Sequence, residues 1–373
     1  MNYPVFVQDA NVPDPYILAD PVSKNYYMYA NTFPCGLTPA ERQGTGNTFY
    51  AVQSEDLVHW SNPILVFEQN DFWASEDYSA PKVFYYQGQY YLIASFSAPG
   101  RLRCCQALVA DSPLGPFRPV SDRPLTPPAW QCMDGMLYLD GDGDPWLVFA
   151  HDWVQVYDGQ ICAIQLEKDL SGPVGNPMIL FRGSEAPWGD DFMYCTDEGG
   201  GAARAPWAHR LADGSLVILW TNCTPYGYAV GIARSTSGEI WGPWEQFDRP
   251  VYCLDAGFAS LFRRHSDGML MMPACAVGRD YAGVRGPGVR TLLFEMEERD
   301  GLVELVSECT GNWNAAIGGH GIVYRGAAAE KDAPAFTAMG SYGGPFGRRR
   351  VRWGMAPETP FSKGKIQDKR NEK

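Results

Sequence analysis

Five acidic positions of this 373-residue chain share one local setting. Asp14 in VPDPYIL, Asp77 in SEDYSAPKV, Asp134 in CMDGMLYL, Asp197-Glu198 in CTDEGGGAARAPW and Asp255 in CLDAGFASL each stand at or just before a short apolar run. Asp is disfavoured within strands, and beside Pro or Gly its ordinary role is to close a turn. Five such acids brought to one place would repel one another, and that repulsion drives carboxyl pKa values apart. Carboxyl groups in different protonation states do general acid–base chemistry at an acetal carbon. A carboxylate activates water, a carboxylic acid protonates the departing oxygen, and a third carboxylate keeps that acid protonated near neutrality. Cleavage of a glycosidic bond has this requirement.

Positions so far apart in sequence converge only if a repeat brings them together, and the chain contains one. A turn residue followed by an aromatic or aliphatic run recurs as KNYYMYANT (24–32), GQYYLIASF (88–96), GDPWLVFAH (143–151), GSLVILWTN (214–222) and GMLMMPACA (268–276). A shorter strand precedes each: DPYILAD (14–20), APKVFYY (80–86), DGMLYLD (134–140), APWAHRL (205–211) and AGFASLF (256–262). A third strand follows each, often running into a turn such as SEDLVHW, ADSPLGPF, EKDLSGP or STSGEIWGPW. Five three-strand units, 54 to 71 residues apart, are too many for one sandwich, and no long segment of helical period appears. Radial repetition protects the sheet edges, so the expected fold is all-β, a five-bladed β-propeller spanning residues 1–310. The innermost strand of each blade then lines a central channel, and the five acids gather at one face. Residues 311–373 lack alternation and end in the charged run SKGKIQDKRNEK, which reads as a C-terminal wrap and partly disordered tail.

Composition narrows the partners. Aromatic residues make up 13% of the chain, which suits both strand-rich proteins and sugar binders. The net charge of −13 argues against nucleic acid. The ten cysteines lack metal-ligand spacing, and several fall in apolar runs, which favours reduced buried thiols over a disulfide framework. The N-terminal MNYPVFVQDANVPDP shows no signal peptide, and no apolar run reaches membrane-spanning length, so a cytoplasmic location is expected. No G-x-S-x-G elbow supports acyl transfer.

At the acid-bearing segments the sequence resembles glycoside hydrolase family 43, the five-bladed arabinofuranosidases, xylosidases and arabinanases. The likeness covers about residues 10–305. DPYILADP with YYMYANT is similar to the family's opening strand pair, which implies that Asp14 is the general base. SEDYSAPKVFYY resembles its second-blade WAPEV segment, with Lys82 where an acid is common. CMDGMLYLDGDGDPWLVFAH resembles the segment whose Asp tunes the acid, here Asp134. The fourth blade departs: Arg204 stands where the resemblance implies a Glu before Ala-Pro. The candidate acid is therefore Glu198, with Asp197 and Glu185 (in SEAPW) as alternatives. Phe258 stands where relatives often have a His that helps hold a channel water or calcium. No cofactor is expected, and nothing in the sequence supports a structural calcium.

Phe72, Trp73 and Trp188 lie in loop-like flanks and are candidate substrate contacts, together with Asp77, Arg204 and Asp255. His151 and Asp152 end a strand and could reach the channel rim, although a plain strand-end turn accounts for them equally well. The expected activity is hydrolysis of arabinofuranosyl or xylosyl bonds by inversion, on an oligosaccharide or polysaccharide-derived glycoside. The alternatives are a non-catalytic glycan-binding propeller and a propeller glycosidase of other sugar specificity.

Overall fold

The computed structural model describes residues 12, 14–30, 47–68, 72–189, 201–224, 227–253, 256–279 and 285–308, of which 277–279, 285–290 and 307–308 are described as backbone only. The chain divides into two compact units, 1–278 with 286–326 and 279–285 with 327–373. The five sheets belong to the first, apart from the strand tips at 279 and 285. The expected wrap at 311–373 lies outside the described residues.

Five small antiparallel sheets stand in a ring as the blades of a β-propeller. Blade 1 holds β1 (Tyr16–Ala19), β2 (Tyr26–Ala30), β3 (Thr48–Ser54) and β4 (Ile64–Glu68), from the channel outward. Blade 2 holds β5 (Glu76–Tyr86), β6 (Gln89–Ala98), β7 (Arg101–Ala110) and β8 (Arg118–Pro119). Blade 3 holds β9 (Cys132–Leu139), β10 (Pro145–His151), β11 (Gln160–Leu166) and β12 (Pro173–Arg182), with a one-turn helix α1 (Trp153–Val156) between β10 and β11. Blade 4 holds β13 (Arg204–Arg210), β14 (Leu216–Thr224), β15 (Gly227–Ser235) and β16 (Trp244–Gln246). In blade 5, β17 (Ala256–Gly257) and β18 (Phe262–Arg263) both pair with β19 (Leu270–Arg279), followed by β20 (Arg285–Arg299) and β21 (Leu302–Glu308).

Each blade thus has a fourth strand beyond the three legible in sequence. These outer strands carry charged or apolar residues at exposed edges, and two are only two or three residues long (RP and WEQ), too short to show alternation. The second strands, by contrast, are covered on both faces by neighbouring blades. All seven residues of β10 are buried, so the strand reads as a continuous apolar run rather than an alternating one. The recurring turns tuck one aliphatic side chain back under the blade: Leu57, Leu170 and Ile240 are all buried.

Every sheet comes from a contiguous stretch of chain. Among the described residues the ring closes by side-chain packing of blade 5 on blade 1, where Ile17, Met28 and Trp60 meet Phe262, Met271 and Leu293. The Tyr26 and Phe262 rings lie 5.9 Å apart across this seam, and Tyr26 Oη accepts from the His265 N–H at 2.7 Å.

Candidate active site

The inner strands share one backbone device. Ala80, Asp134, Ala205 and Phe258 all have positive φ, between 47° and 60°. In blades 2, 3 and 4 this residue sits at a break in ladder register, a β-bulge, and in blade 5 it falls in the gap between β17 and β18. A bulge re-aims the side chain and frees the adjoining N–H from the ladder. Those N–H groups are all taken: Asp134 N–H by Ser95 Oγ (3.0 Å) and Phe258 N–H by Thr221 Oγ1 (2.7 Å), each from the preceding blade's second strand. The other two donate to carboxylates of the preceding inner strand. Ala80 N–H bonds Asp14, and Ala205 N–H bonds Asp134 Oδ2 at 3.0 Å.

Asp14 and Asp134 are brought close enough to interact electrostatically, with Lys82 and Arg204 around them. Arg204 Nε donates to Asp134 Oδ2 at 3.0 Å, and Lys82 Nζ donates to the Asp134 carbonyl at 3.0 Å. Burial alone would raise the Asp134 carboxyl. The Arg204 and Lys82 cations and the two hydrogen bonds outweigh it and hold Asp134 below the usual carboxylate range. Asp14 keeps some exposed area yet is packed deeply. Desolvation, reinforced by the Asp134 charge, pushes it up to about 6. Lys82 is wholly buried and shifted downward by desolvation, against the pull of both carboxylates.

Beneath these groups an aromatic plug fills the channel. Tyr16 lies 5.6 Å from Trp207 and 5.8 Å from Phe84, and Phe84 stacks on Trp207 at 6.1 Å. All three are inner-strand residues, and they give the acids an apolar floor, which accounts for the desolvation of Asp14.

Above the pair a charged strap crosses two blades. Arg103 lies 3.1 Å from Asp77 Oδ2 and 3.8 Å from Asp152 Oδ2. Asp152 is buried, caps α1, and adds to the field that holds Arg204 charged. Asp152 and Arg103 are the parts of this site that sequence reasoning missed or left undecided. The only signal for Asp152 was a polar residue directly after a fully buried strand in FAHDW. His151 is a packed residue, stacked on Trp130 at 4.2 Å and bonded to Gln155 and Gln160.

Several expected contacts are placed elsewhere. Phe72 is buried between blades 1 and 2, with Phe96 at 5.0 Å and Phe67 at 5.6 Å, so it packs the core and does not face a ligand. Trp73 bonds Gln106 through Nε1 at 2.7 Å, and the Arg101 guanidinium covers its ring at 4.1 Å. The Trp188 ring rests on Gly231, where any Cβ would stand 2.2 Å from it, and beside Trp220 at 5.5 Å; it is a blade 4 packing residue. Both misplacements have one cause: polar flanks mark a loop but not which way its aromatic ring turns. Asp77 is exposed, lies with positive φ in an earlier register break of β5 than Ala80, and is not among the groups that act on Asp14. Glu185 is exposed, and its carboxylate accepts from Arg182 N–H at 2.9 Å, capping its own turn. Arg204 belongs to the site, but its Nε orients Asp134. Asp197, Glu198 and Asp255 lie outside the described residues. Phe258, in the position where the resemblance implies a His, packs against Tyr228 and under the Arg204 guanidinium at 5.5 Å. An aromatic ring and a fixed cation there do not fit a channel calcium, and among the described residues no group of three or more His, Cys, Asp or Glu is arranged to hold a metal.

Residues 3–301 match the family described as Glycosyl hydrolases family 43. An endo-arabinase from Bacteroides thetaiotaomicron superposes with a TM-score of 0.71 at 34% identity, over 81% of this chain and 99% of its own. An α-L-arabinofuranosidase from Lactobacillus brevis gives 0.62 at 16% identity, over 79% and 95%. An endo-1,4-β-xylanase from Bacteroides thetaiotaomicron gives 0.61 at 21%, over 80% and 96%. At identities this low the last two speak for the fold alone.

Proposed function

The chain belongs to glycosyl hydrolase family 43, and from that premise we propose that it cleaves pentose glycosidic bonds, arabinofuranosyl in the first instance, by inversion with Asp14 as general base. The observation that carries this reading is the opposite tuning of two carboxyls that each accept the bulge N–H of the next blade. Asp134, bonded to Arg204 and Ala205, stays ionised well into acid, whereas Asp14 gains its proton near pH 6. A base poised just below neutrality is ionised at pH 7 and still basic enough to take a proton from water. A fixed Asp134 charge close to Asp14 favours the positive charge that develops in an oxocarbenium-like transition state. The aromatic floor keeps that charge poorly screened.

The acid that protonates the departing oxygen is assigned to the fourth-blade segment, Glu198 before Asp197, because the Glu185 carboxylate is engaged by the Arg182 N–H in capping its own turn. The arabinofuranosyl preference rests on the 34% identity with the Bacteroides thetaiotaomicron endo-arabinase.

The test is hydrolysis of nitrophenyl arabinofuranoside, nitrophenyl xyloside and linear arabino-oligosaccharides by purified protein, with the first-formed anomer read by proton NMR. Turnover of the arabinosides with inverted product supports the proposal. A retained anomer, or hydrolysis of hexosides only, refutes it.

A further inference from the structure

Among the described residues, three large apolar side chains remain exposed at the channel face that carries Asp134: Leu102 (43%), Val154 (61%) and Tyr157 (59%). Their placement follows from register. His151 pairs with Cys132, so the connection from β10 to β11 leaves blade 3 beside Asp134. Ser97 pairs with Glu76, so the hairpin before Leu102 leaves blade 2 at the same end. The strap Asp77–Arg103–Asp152 joins these two connections. Leu102 neighbours Arg103 on one side of it, and Val154 and Tyr157 follow Asp152 on the other.

Tyr157 is displayed at a cost. Its φ of 64° and ψ of −43° belong to a γ-turn, closed by Asp158 N–H to Val156 C=O at 2.8 Å. A β-carbon residue is strained there, and such strain persists only where the surroundings impose it. They do so from both sides. Gln155 Oε1 accepts from Gln131 N–H at 2.6 Å, and its Nε2 donates to Ala129 C=O at 3.0 Å. Asp158 accepts from Ser184 N–H at 2.9 Å, Ser184 Oγ at 2.6 Å and Gly201 N–H at 3.2 Å. A rigid frame therefore holds out a ring that contributes little burial to the fold.

We propose that Tyr157, Val154 and Leu102 form a distal sugar subsite, which binds the part of a neutral glycan chain that extends beyond the scissile residue. The proposal rests on reading the channel as a glycosidase site. Sugar rings offer apolar C–H faces to a flat aromatic, and their hydroxyls match the Asp77 carboxylate and Arg103 guanidinium of the strap at the same end of the blades. A second copy of the chain would have to desolvate that charged strap, and an acidic polymer would meet a chain of net charge −13.

The test uses the full chain with Asp14→Asn to prevent turnover, titrated calorimetrically with arabino- and xylo-oligosaccharides of increasing length. Affinity should rise with length. Tyr157→Asn, chosen because Asn tolerates positive φ, should remove about tenfold of that gain, and Val154→Ser a smaller part. A length dependence untouched by both variants overturns the subsite. Aryl pentoside turnover by the parent protein separates the two readings. Turnover with Tyr157-insensitive binding sinks the subsite alone; Tyr157-dependent binding without pentoside turnover sinks the pentosidase reading alone. Tyr157-dependent dimerisation in sedimentation, with no response to oligosaccharide, overturns the subsite in favour of a second copy.

Discussion

Blades 1 and 3 bring Asp14 and Asp134 to the channel in equivalent places, and each carboxylate accepts the bulge N–H of the next blade, from Ala80 and Ala205. Both are desolvated by the same packed interior. They differ in one contact: Arg204 bonds Asp134 directly, whereas its effect on Asp14 is only through space. With that bond and the Lys82 charge, Asp134 is held below the ordinary carboxylate range; Asp14 lacks the bond, and desolvation with the Asp134 charge carries it up to about 6 against the weaker pull of the same cations. Assigning a base by position in the fold would thus leave two choices. The partner of each carboxylate decides between them.

The sharpest way to break the comparison is to remove one carboxylate at a time. Asp14→Asn should lower kcat by about ten-thousandfold, the upper range for a general base. Asp134→Asn should lower kcat by about a hundredfold or more and also destabilise the fold by ~3–5 kcal/mol, because Arg204 and Lys82 are left buried without their counter-charge. Urea melts of both variants distinguish the two roles. Arg204→Gln should cost about tenfold in kcat/KM and move the acidic limb of the pH profile upward, since the cation that restrained Asp14 is gone; a limb that stays or moves down contradicts the role given to Arg204.

The smallest effect concerns stability. The folded state raises the Asp14 pKa, so this group favours folding below its unfolded value of 3.8, and that contribution is lost as pH rises through about 6. Asp14→Asn should therefore be more stable than the parent by ~1–3 kcal/mol at pH 7.5. The gain should fade towards pH 4, and Tm measured across this range checks it.

The propeller was legible because its second strands are buried on both faces and so stand out as unbroken apolar runs. Asp14 and Asp134 were legible because an acid beside a strand start needs a reason. The outer strands were hidden by their length, and the ring directions at Phe72 and Trp188 by flanks that say only loop. Arg204 was visible as a departure from a pattern. Its function was not, because the bulge that aims it and the bond to Asp134 come from blades 70 residues apart. Asp152 and Arg103 were obscured for the same reason: an ion pair across blades leaves no spacing in the chain.

Which carboxyl titrates near pH 6 decides between Asp14 and Asp134 as the base. Carbon-detected NMR of aspartate side-chain carboxyls, in the parent and in Asp14→Asn, measures this directly. The prediction is one buried carboxyl with a midpoint near 6 that disappears in Asp14→Asn, while Asp134 remains ionised to the acid limit of folding. A midpoint near 6 that survives Asp14→Asn, or two carboxyls that both titrate below pH 4, would contradict it.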